Sequence, residues 1–343
     1  MKLKTLIATL SALLISPIEA QSCDHAGFSS QSEILLGQQA NERQASSIEE
    51  AIDKFFHIAE IEVAQNALRY IEVTINNKTR HMIVDSGADS LLLNKIIADE
   101  DKIPLEKDGH AHGASQSTSK EVYLGKLDQC RVGSKFDLGT PSVHFLDLRN
   151  FSKIVPVKGD NLDNAGQLGL GFFNAIPSAI DYPNNQILVQ KQPIQGGIAS
   201  INKQLGDAFV EMIEDERRRH YAPLIINGKK AYFLVDTGAG ANVIYGTSVA
   251  RQFGLPVTKT KTRSTSLNVK NGRLQMATLK KLKIGTLDLE GKIEFAVIKD
   301  LEKIDEINGT PVIGIIGGTL FDQLKATIDF ASNTITMAIT RKK

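Results

Sequence analysis

The chain has 343 residues, with 40 basic and 39 acidic side chains and a formal net charge of +1. So even a balance gives no general attraction to nucleic acid or to an anionic membrane, and any specificity must come from a local site. Hydrophobic residues make up 42% of the sequence, enough for more than one core, and the length suits two domains with a short appendage.

Residues 1–20, MKLKTLIATLSALLISPIEA, place Lys2 and Lys4 ahead of an apolar stretch and end on the small residue Ala20. That is the pattern of a secretory signal, too short and too early for a retained membrane anchor. Cleavage would remove two lysines and Glu19 and leave a formally neutral chain. The expected location is the periplasm or the exterior, with no stable membrane anchor. Cys23 follows closely and raises lipid attachment, but Ala20-Gln21-Ser22 lacks the apolar residue such signals carry. Cys23 and Cys130 are the only cysteines. Two readings stand, a disulfide tying the amino-terminal arm to the first lobe or two free thiols. No histidine cluster accompanies them, so no structural zinc site is expected.

An arm over 21–65 contains SSIEEAIDKFF, where Ser47 and Glu50 fit a capping box and Ile48, Ala51, Ile52, Phe55 and Phe56 form a helical apolar face. A first lobe over 66–190 alternates apolar and polar positions and breaks at turn residues, as β-strands do. A Gly-rich connector over 191–220 ends in GDAFVEMIEDERRRH, read as a helix with Phe209, Met212 and Ile213 inward and its arginines near the carboxyl end. A second lobe over 221–343 is again β-like.

The two lobes repeat one another. RYIEVTINNKTRHMIVDSGADSLLL from Arg69 aligns without a gap with HYAPLIINGKKAYFLVDTGAGANVI from His220, at an offset of 151 residues. GQLGLGFFNAIPSAIDYPNNQILV from Gly166 aligns with GIIGGTLFDQLKATIDFASNTITM from Gly314, at an offset of 148. Loops absorb such a three-residue difference cheaply, so duplication accounts for the chain.

Each copy places an aspartate, Asp85 or Asp236, directly after an apolar strand. A carboxylate facing an interior costs several kcal/mol unless something compensates. Gly87 and Gly238 allow close backbone approach and leave amides able to point back at the carboxylate. If the two turns face one another, both acids cannot comfortably ionise, and one proton is shared. Such a pair activates a water with one member and protonates a leaving amide nitrogen with the other.

The chain resembles an aspartic protease of the retroviral-type and bacterial periplasmic aspartyl protease group, with both halves on one polypeptide as in the pepsin-like enzymes. The resemblance rests on IVDSGAD at Ile83 to Asp89, on FLVDTGAG at Phe233 to Gly240, and on the later stretches QLGLGFF and IIGGTLF. It implies an all-β, bilobal acid-protease fold with a small helical amino-terminal arm, and an endopeptidase acting on a peptide or protein with no cofactor and no metal. It implies further that Asp85 and Asp236 are the catalytic dyad. Ser86 and Thr237 would cross-link the active loops, Gly87 and Gly238 would hold them tight, and Ala88 and Ala239 replace the Ser or Thr usual in pepsin-like enzymes. A missing hydroxyl donor leaves a carboxylate less acidic and points to activity nearer neutral pH. Asp89 matches a retroviral position that binds substrate backbone, yet its counterpart is Gly240, so the halves cannot grip a peptide symmetrically. The flap candidates are the segment from Gly109 to Gly125, with Gly113 and Ala114 at its turn as candidate substrate contacts, and the segment from Thr262 to Leu274. Tyr123 lies too near the following strand to be a flap tyrosine.

Other residues receive plainer readings. His110 and His112 belong to a solvated loop or flap edge, Asp181 and Asp329 are turn carboxylates, and Phe172, Phe173 and Phe321 fill cores. No nucleotide-binding glycine spacing is present. A catalytically silent peptide-binding scaffold of the same fold is the alternative to an enzyme. A monomer is preferred to a homodimer because the connector lets both lobes meet within one chain.

Overall fold

The computed structural model describes residues 13–15, 54–63, 68–113, 119–134, 136–148, 164–192, 194, 197, 208–263, 273–298 and 306–337. After the short strand β1 (Leu13–Ile15), β2 (Phe56–Val63) leads into a hairpin of β3 (Arg69–Ile75) and β4 (Lys78–Val84). Its turn residues Asn76 and Asn77 have φ of 47° and 63°. This is the left-handed pair of a type I′ turn, which asparagine tolerates better than most residues. The first lobe continues with β5 (Leu92–Asn94), helix α1 (Lys95–Asp101), β6 (Glu106–Gly113) and β7 (Ser119–Lys126). It closes with β8 (Cys130–Val132), β9 (Phe136–Gly139), β10 (Ser142–Leu146), β11 (Asn164–Leu168) and helix α2 (Leu170–Ala175). β11 lies between β4, to which it is parallel, and β5, to which it is antiparallel. β1 pairs antiparallel with β6.

Between the lobes run β12 (Ser178–Asp181), β13 (Gln186–Gln190), β14 (Ala208–Glu211) and β15 (Ile213–Glu214). The second lobe then repeats the first with β16 (His220–Ile226), β17 (Lys229–Val235), β18 (Val243–Tyr245) and helix α3 (Thr247–Gln252). Its first hairpin turns at Asn227 and Gly228, with φ of 49° and 78°. There follow β19 (Val257–Arg263), β20 (Arg273–Ile284), β21 (Leu287–Ile298), β22 (Glu306–Ile307), β23 (Thr310–Ile316) and helix α4 (Gly318–Leu324). The last strands are β24 (Ala326–Asp329) and β25 (Thr334–Met337). β23 lies parallel to β17 and antiparallel to β18, as β11 does to β4 and β5.

The lobes are joined by a sheet in the order β2-β13-β12-β24-β25-β14. At its centre Ile180 stands opposite Ile328, and these two are each other's counterpart in the repeat. The approximate two-fold axis of the duplication therefore passes between them. One apolar cluster runs through both lobes and this sheet, from Ile71 and Val84 through Phe173 and Phe330 to Phe233 and Phe295. Phe172, Phe173 and Phe321 lie in it. Each such side chain contributes roughly 1.5–3 kcal/mol by leaving water. The two mostly-β lobes are the bilobal architecture expected from the sequence.

The connector helix expected from the sequence is corrected, whereas most of the arm's helix lies outside the described residues. Of the arm's helix only Lys54 and Phe55 are helical among the described residues, and from Phe56 the chain is strand β2, with Phe56, Ala59 and Ile61 buried. Among the described residues the connector is not helical; β14, β15 and a turn stand where the helix was expected. The connector's apolar residues stand at spacings that serve a helix or a strand, and a sheet edge decides the matter: β2 and β14 fill the edges of β13 and β25. They are also one further copy of the repeat. Glu62 pairs with Tyr70 in the first lobe as Ile213 pairs with Tyr221 in the second.

The arginine run does not cap a helix. Asp215 organises it as a turn, accepting the backbone amides of Arg217 and Arg219 at 2.9 Å each and the Arg219 side chain at 2.8 Å. Cys130 is a buried free thiol on β8, and burial pushes it up to about 12. Cys23, the rest of the leader beyond β1, and Ser47 to Ile52 lie outside the described residues.

Candidate active site

Asp85 follows the last residue of β4 and Asp236 the last residue of β17. Because β11 and β23 run parallel beside those strands, their carbonyls reach the aspartate backbones: the Asp85 amide donates to Leu168 O at 3.0 Å and the Asp236 amide to Ile316 O at 3.1 Å. Each chain then turns on itself, with the Ala88 amide donating to Asp85 O and the Ala239 amide to Asp236 O. The apolar-Gly stretches thus brace the two aspartate loops from below in the same way.

The loops are clamped to each other across the lobe boundary. The Ser86 amide donates to Thr237 Oγ1 at 2.9 Å, and the Thr237 amide donates to Ser86 Oγ at 3.1 Å. Each hydroxyl passes its own proton on, Ser86 Oγ to Val235 O and Thr237 Oγ1 to Val84 O, both at 2.9 Å. Gly87 and Gly238 permit the approach. A Cβ on Gly87 would collide with the Asp236 carboxyl, and one on Gly238 with that of Asp85.

Asp85 and Asp236 are both 0% exposed; each carboxyl lies against the opposite loop's glycine, and the charge of Asp236 acts directly on Asp85. Asp85 Oδ1 accepts the Gly87 amide at 2.9 Å, and Asp236 Oδ1 accepts the Ala239 amide at 3.0 Å. Asp236 Oδ2 has no N–H or O–H donor among the described residues. Burial, followed by the charge of Asp236, holds Asp85 well above the usual carboxylate range. Burial likewise pushes Asp236 up to about 6. Two carboxyls in contact away from water retain one proton where separate aspartates would lose both.

Two residues that the motifs do not reveal stand close by. Gln167 on β11 is 0% exposed and donates from Nε2 to Asp85 Oδ2 at 2.5 Å. The sequence signal was a single polar side chain in an otherwise apolar-Gly stretch. Arg69 at the start of β3 is buried, stacks on the Tyr182 ring with its guanidinium 3.6 Å from the centroid, and pairs with Asp322 of helix α4 at 2.5 Å. Tyr182 lies within the field of both dyad carboxylates. Its counterpart Phe330 packs against His220, the counterpart of Arg69, with ring centroids 5.2 Å apart.

The remaining candidates are placed as follows. Both flap segments are hairpins, β6–β7 and β19–β20. Gly113 ends β6, whereas Ala114 and the two hairpin tips lie outside the described residues. His110 is exposed and sits with His112 on strand β6 rather than in a loop. Tyr123 hydrogen-bonds Glu121 at 2.7 Å, with the Lys95 ammonium 3.9 Å from its ring, so it faces helix α1. A mixed-charge cavity of about 590 Å³ opens there, lined by Lys95, Ile96, Asp99, Lys120, Glu121 and Tyr123 with Asp147, apart from the dyad. Asp89 is half-buried and in the field of Arg219, so the second lobe's entry turn meets the first lobe beside the Asp85 loop. Asp329 accepts the Ala331 and Ser332 amides, and Asp181 accepts the side chains of Asn184 and Gln186.

Residues 71–148 match the family model described as gag-polyprotein putative aspartyl protease, and residues 222–320 match that described as aspartyl protease. No curated protein matches the chain. Among solved structures, the aspartic proteinase from Irpex lacteus aligns at 13% identity over 83% of this chain and 97% of its own, with a TM-score of 0.48. A retropepsin-like aspartic protease from Rickettsia conorii aligns at 21% identity over 38% of this chain and 89% of its own, with a TM-score of 0.29. Basic 7S globulin from soybean aligns at 11% identity over 82% and 94%, with a TM-score of 0.41. An aspartyl-protease model is thus matched in each lobe, over the stretch that carries its Asp-Ser/Thr-Gly-Ala loop, which supports a retropepsin-like aspartic protease.

Proposed function

We propose that the protein is an aspartic endopeptidase in which Asp85 and Asp236 share one proton and hydrolyse peptide bonds through an activated water. The observation that carries this reading is the meeting of two fully buried carboxyls supplied by separate lobes, each against the opposite loop's glycine. The ionised member takes a proton from the water as it attacks the scissile carbonyl, and the protonated member donates to the carbonyl oxygen. Collapse of the resulting diol passes a proton to the leaving nitrogen and restores the pair. The amides of Gly87 and Ala239 keep the outer faces of the carboxyls from rotating, which fixes the water's line of approach.

Because both acids are closed off from solvent in this conformation, the β6–β7 and β19–β20 hairpins are the elements that would move to admit an extended substrate. The two acids meet within one chain, which supports action as a monomer. The leader pattern supports action in the periplasm or outside the cell.

The test is hydrolysis of a peptide library by the mature protein and by Asp85→Asn and Asp236→Asn. Each single variant should lose activity by at least about 10³-fold while keeping its fold. Activity of either variant within a few fold of wild type would overturn the reading. A wild type that cleaves nothing, and whose thermal stability a statine-type inhibitor leaves unmoved, would favour the silent scaffold.

A further inference from the structure

We propose that Gln167 is a positioning residue of the dyad, whose side-chain amide fixes the Asp85 carboxylate and stabilises the singly ionised state of the pair. The inference rests on the endopeptidase reading above and adds to it a side-chain donor that one carboxyl has and the other lacks.

Gln167 stands opposite Ile83 of β4 and Leu92 of β5. Its counterpart Ile315 stands opposite Leu234 of β17 and Val243 of β18, the counterparts of those two neighbours. The same slot of the same sheet therefore holds an amide in one lobe and a branched hydrocarbon in the other. Ile315 is buried in a cluster with Leu234, Val243 and Ala239, so the fold itself asks for an apolar side chain there. Burying an amide in such a slot is unfavourable unless it is hydrogen-bonded. In Gln167 the bond goes to Asp85 Oδ2 at 2.5 Å.

Its chemical effect follows from the donor inventory. Asp85 receives N–H donors on both oxygens, from Gly87 and from Gln167. Asp236 receives the Ala239 amide on Oδ1, and its Oδ2 has no such donor among the described residues. A glutamine Nε2 can only donate, so it favours negative charge on the oxygen that it touches. The singly ionised pair, the form that does the chemistry, is stabilised over the fully protonated pair. Tyr182 is the other titratable group whose field includes both carboxyls; Arg69 and Asp322 lie beside it, and burial keeps it neutral.

The experiment compares wild type with Gln167→Met, which keeps length without a donor, and Gln167→Ile, which copies the second lobe. Two readouts are taken, the pH profile of kcat/KM and the titration of Asp85 followed by carbon-13 NMR of its carboxyl. Losing one hydrogen bond to a charged group should raise the acid limb, and the lower titration step, by about one to two pH units. A merely structural role would lower stability without moving either. If Gln167→Met fails to fold, Gln167→Ile is read in its place. Hydrolysis with an unmoved acid limb and an unmoved Asp85 titration would overturn the role of Gln167 alone. A wild type without turnover whose Asp85 titration still shifts in the variants would overturn the endopeptidase reading and leave the role of Gln167 standing.

Discussion

Ser86 and Thr237 hold each other by their backbone amides and their hydroxyls at once. Four hydrogen bonds between 2.9 and 3.1 Å cross the lobe boundary through these two residues. All four partners are buried, so none is exchanged for water while the lobes stay together. The separation of the carboxyls is set by this clamp rather than by the mutual attraction of the acids, which would repel once both were ionised.

Removing either hydroxyl should therefore loosen the site. Thr237→Val or Ser86→Ala leaves one buried amide without its acceptor and should cost about 1–3 kcal/mol by denaturant unfolding. The double variant should cost less than the sum of the singles, since both belong to one network. Additive effects would show the clamp to be incidental.

Gly87→Ala and Gly238→Ala place a methyl group against the opposite carboxyl. Each should reduce kcat/KM by at least about 10²-fold, because displacement of a reacting group by an ångström costs that much. The far-ultraviolet circular dichroism should remain that of the wild type. Steady-state kinetics on the best library peptide provides the check.

The dyad also makes stability depend on pH. Burial raises Asp236 from 3.8 to about 6 and raises Asp85 as well. A carboxyl raised on folding prefers to be protonated in the native state. Its favourable contribution is complete below the unfolded value near 3.8 and is lost as pH rises through about 6. Asp236→Asn removes that loss. The variant should gain about 2–3 kcal/mol over wild type at pH 7.5 and much less at pH 4. Thermal unfolding at the two pH values measures it, and an equal effect at both would contradict the assignment.

Arg69 and Asp322 join the first strand of lobe one to the last helix of lobe two. Arg69 is 1% exposed and Asp322 is 45% exposed, so the two partners are not equivalent. Asp322→Ala takes the carboxylate from a buried guanidinium that keeps its bond to Asn185 and should cost about 1–3 kcal/mol. Arg69→Met leaves an aspartate that water can reach and keeps much of the packing on Tyr182, so its cost should be smaller. Denaturant midpoints of the two variants decide the order.

The site's outline was legible because its determinants are local. An apolar strand, an aspartate and a glycine occur twice in register, and the Asn turns at Asn76 and Asn227 announce their hairpins. Strands β2 and β14 were illegible for a physical reason. Phe209, Met212 and Ile213 satisfy helical spacing, while the residues that become buried are Val210 in β14 and Met212 just after it, and the deciding force is an open sheet edge supplied by residues elsewhere in the chain. Arg69 and Asp322 are 253 positions apart, so nothing nearby in sequence links them. Gln167 could have been found by setting QLG against IIG in the repeat, where one polar side chain faces an isoleucine.

The most direct trial of the account is to follow the Asp85 and Asp236 carboxyls by carbon-13 NMR from pH 3 to 10, in the wild type and in Asp236→Asn. Two well-separated macroscopic steps should appear in the wild type, with one proton retained between them, and the upper step should vanish from the variant. If both carboxyls instead titrate together near 3.8, the ordinary aspartate value, no proton is shared and the hydrolytic mechanism falls.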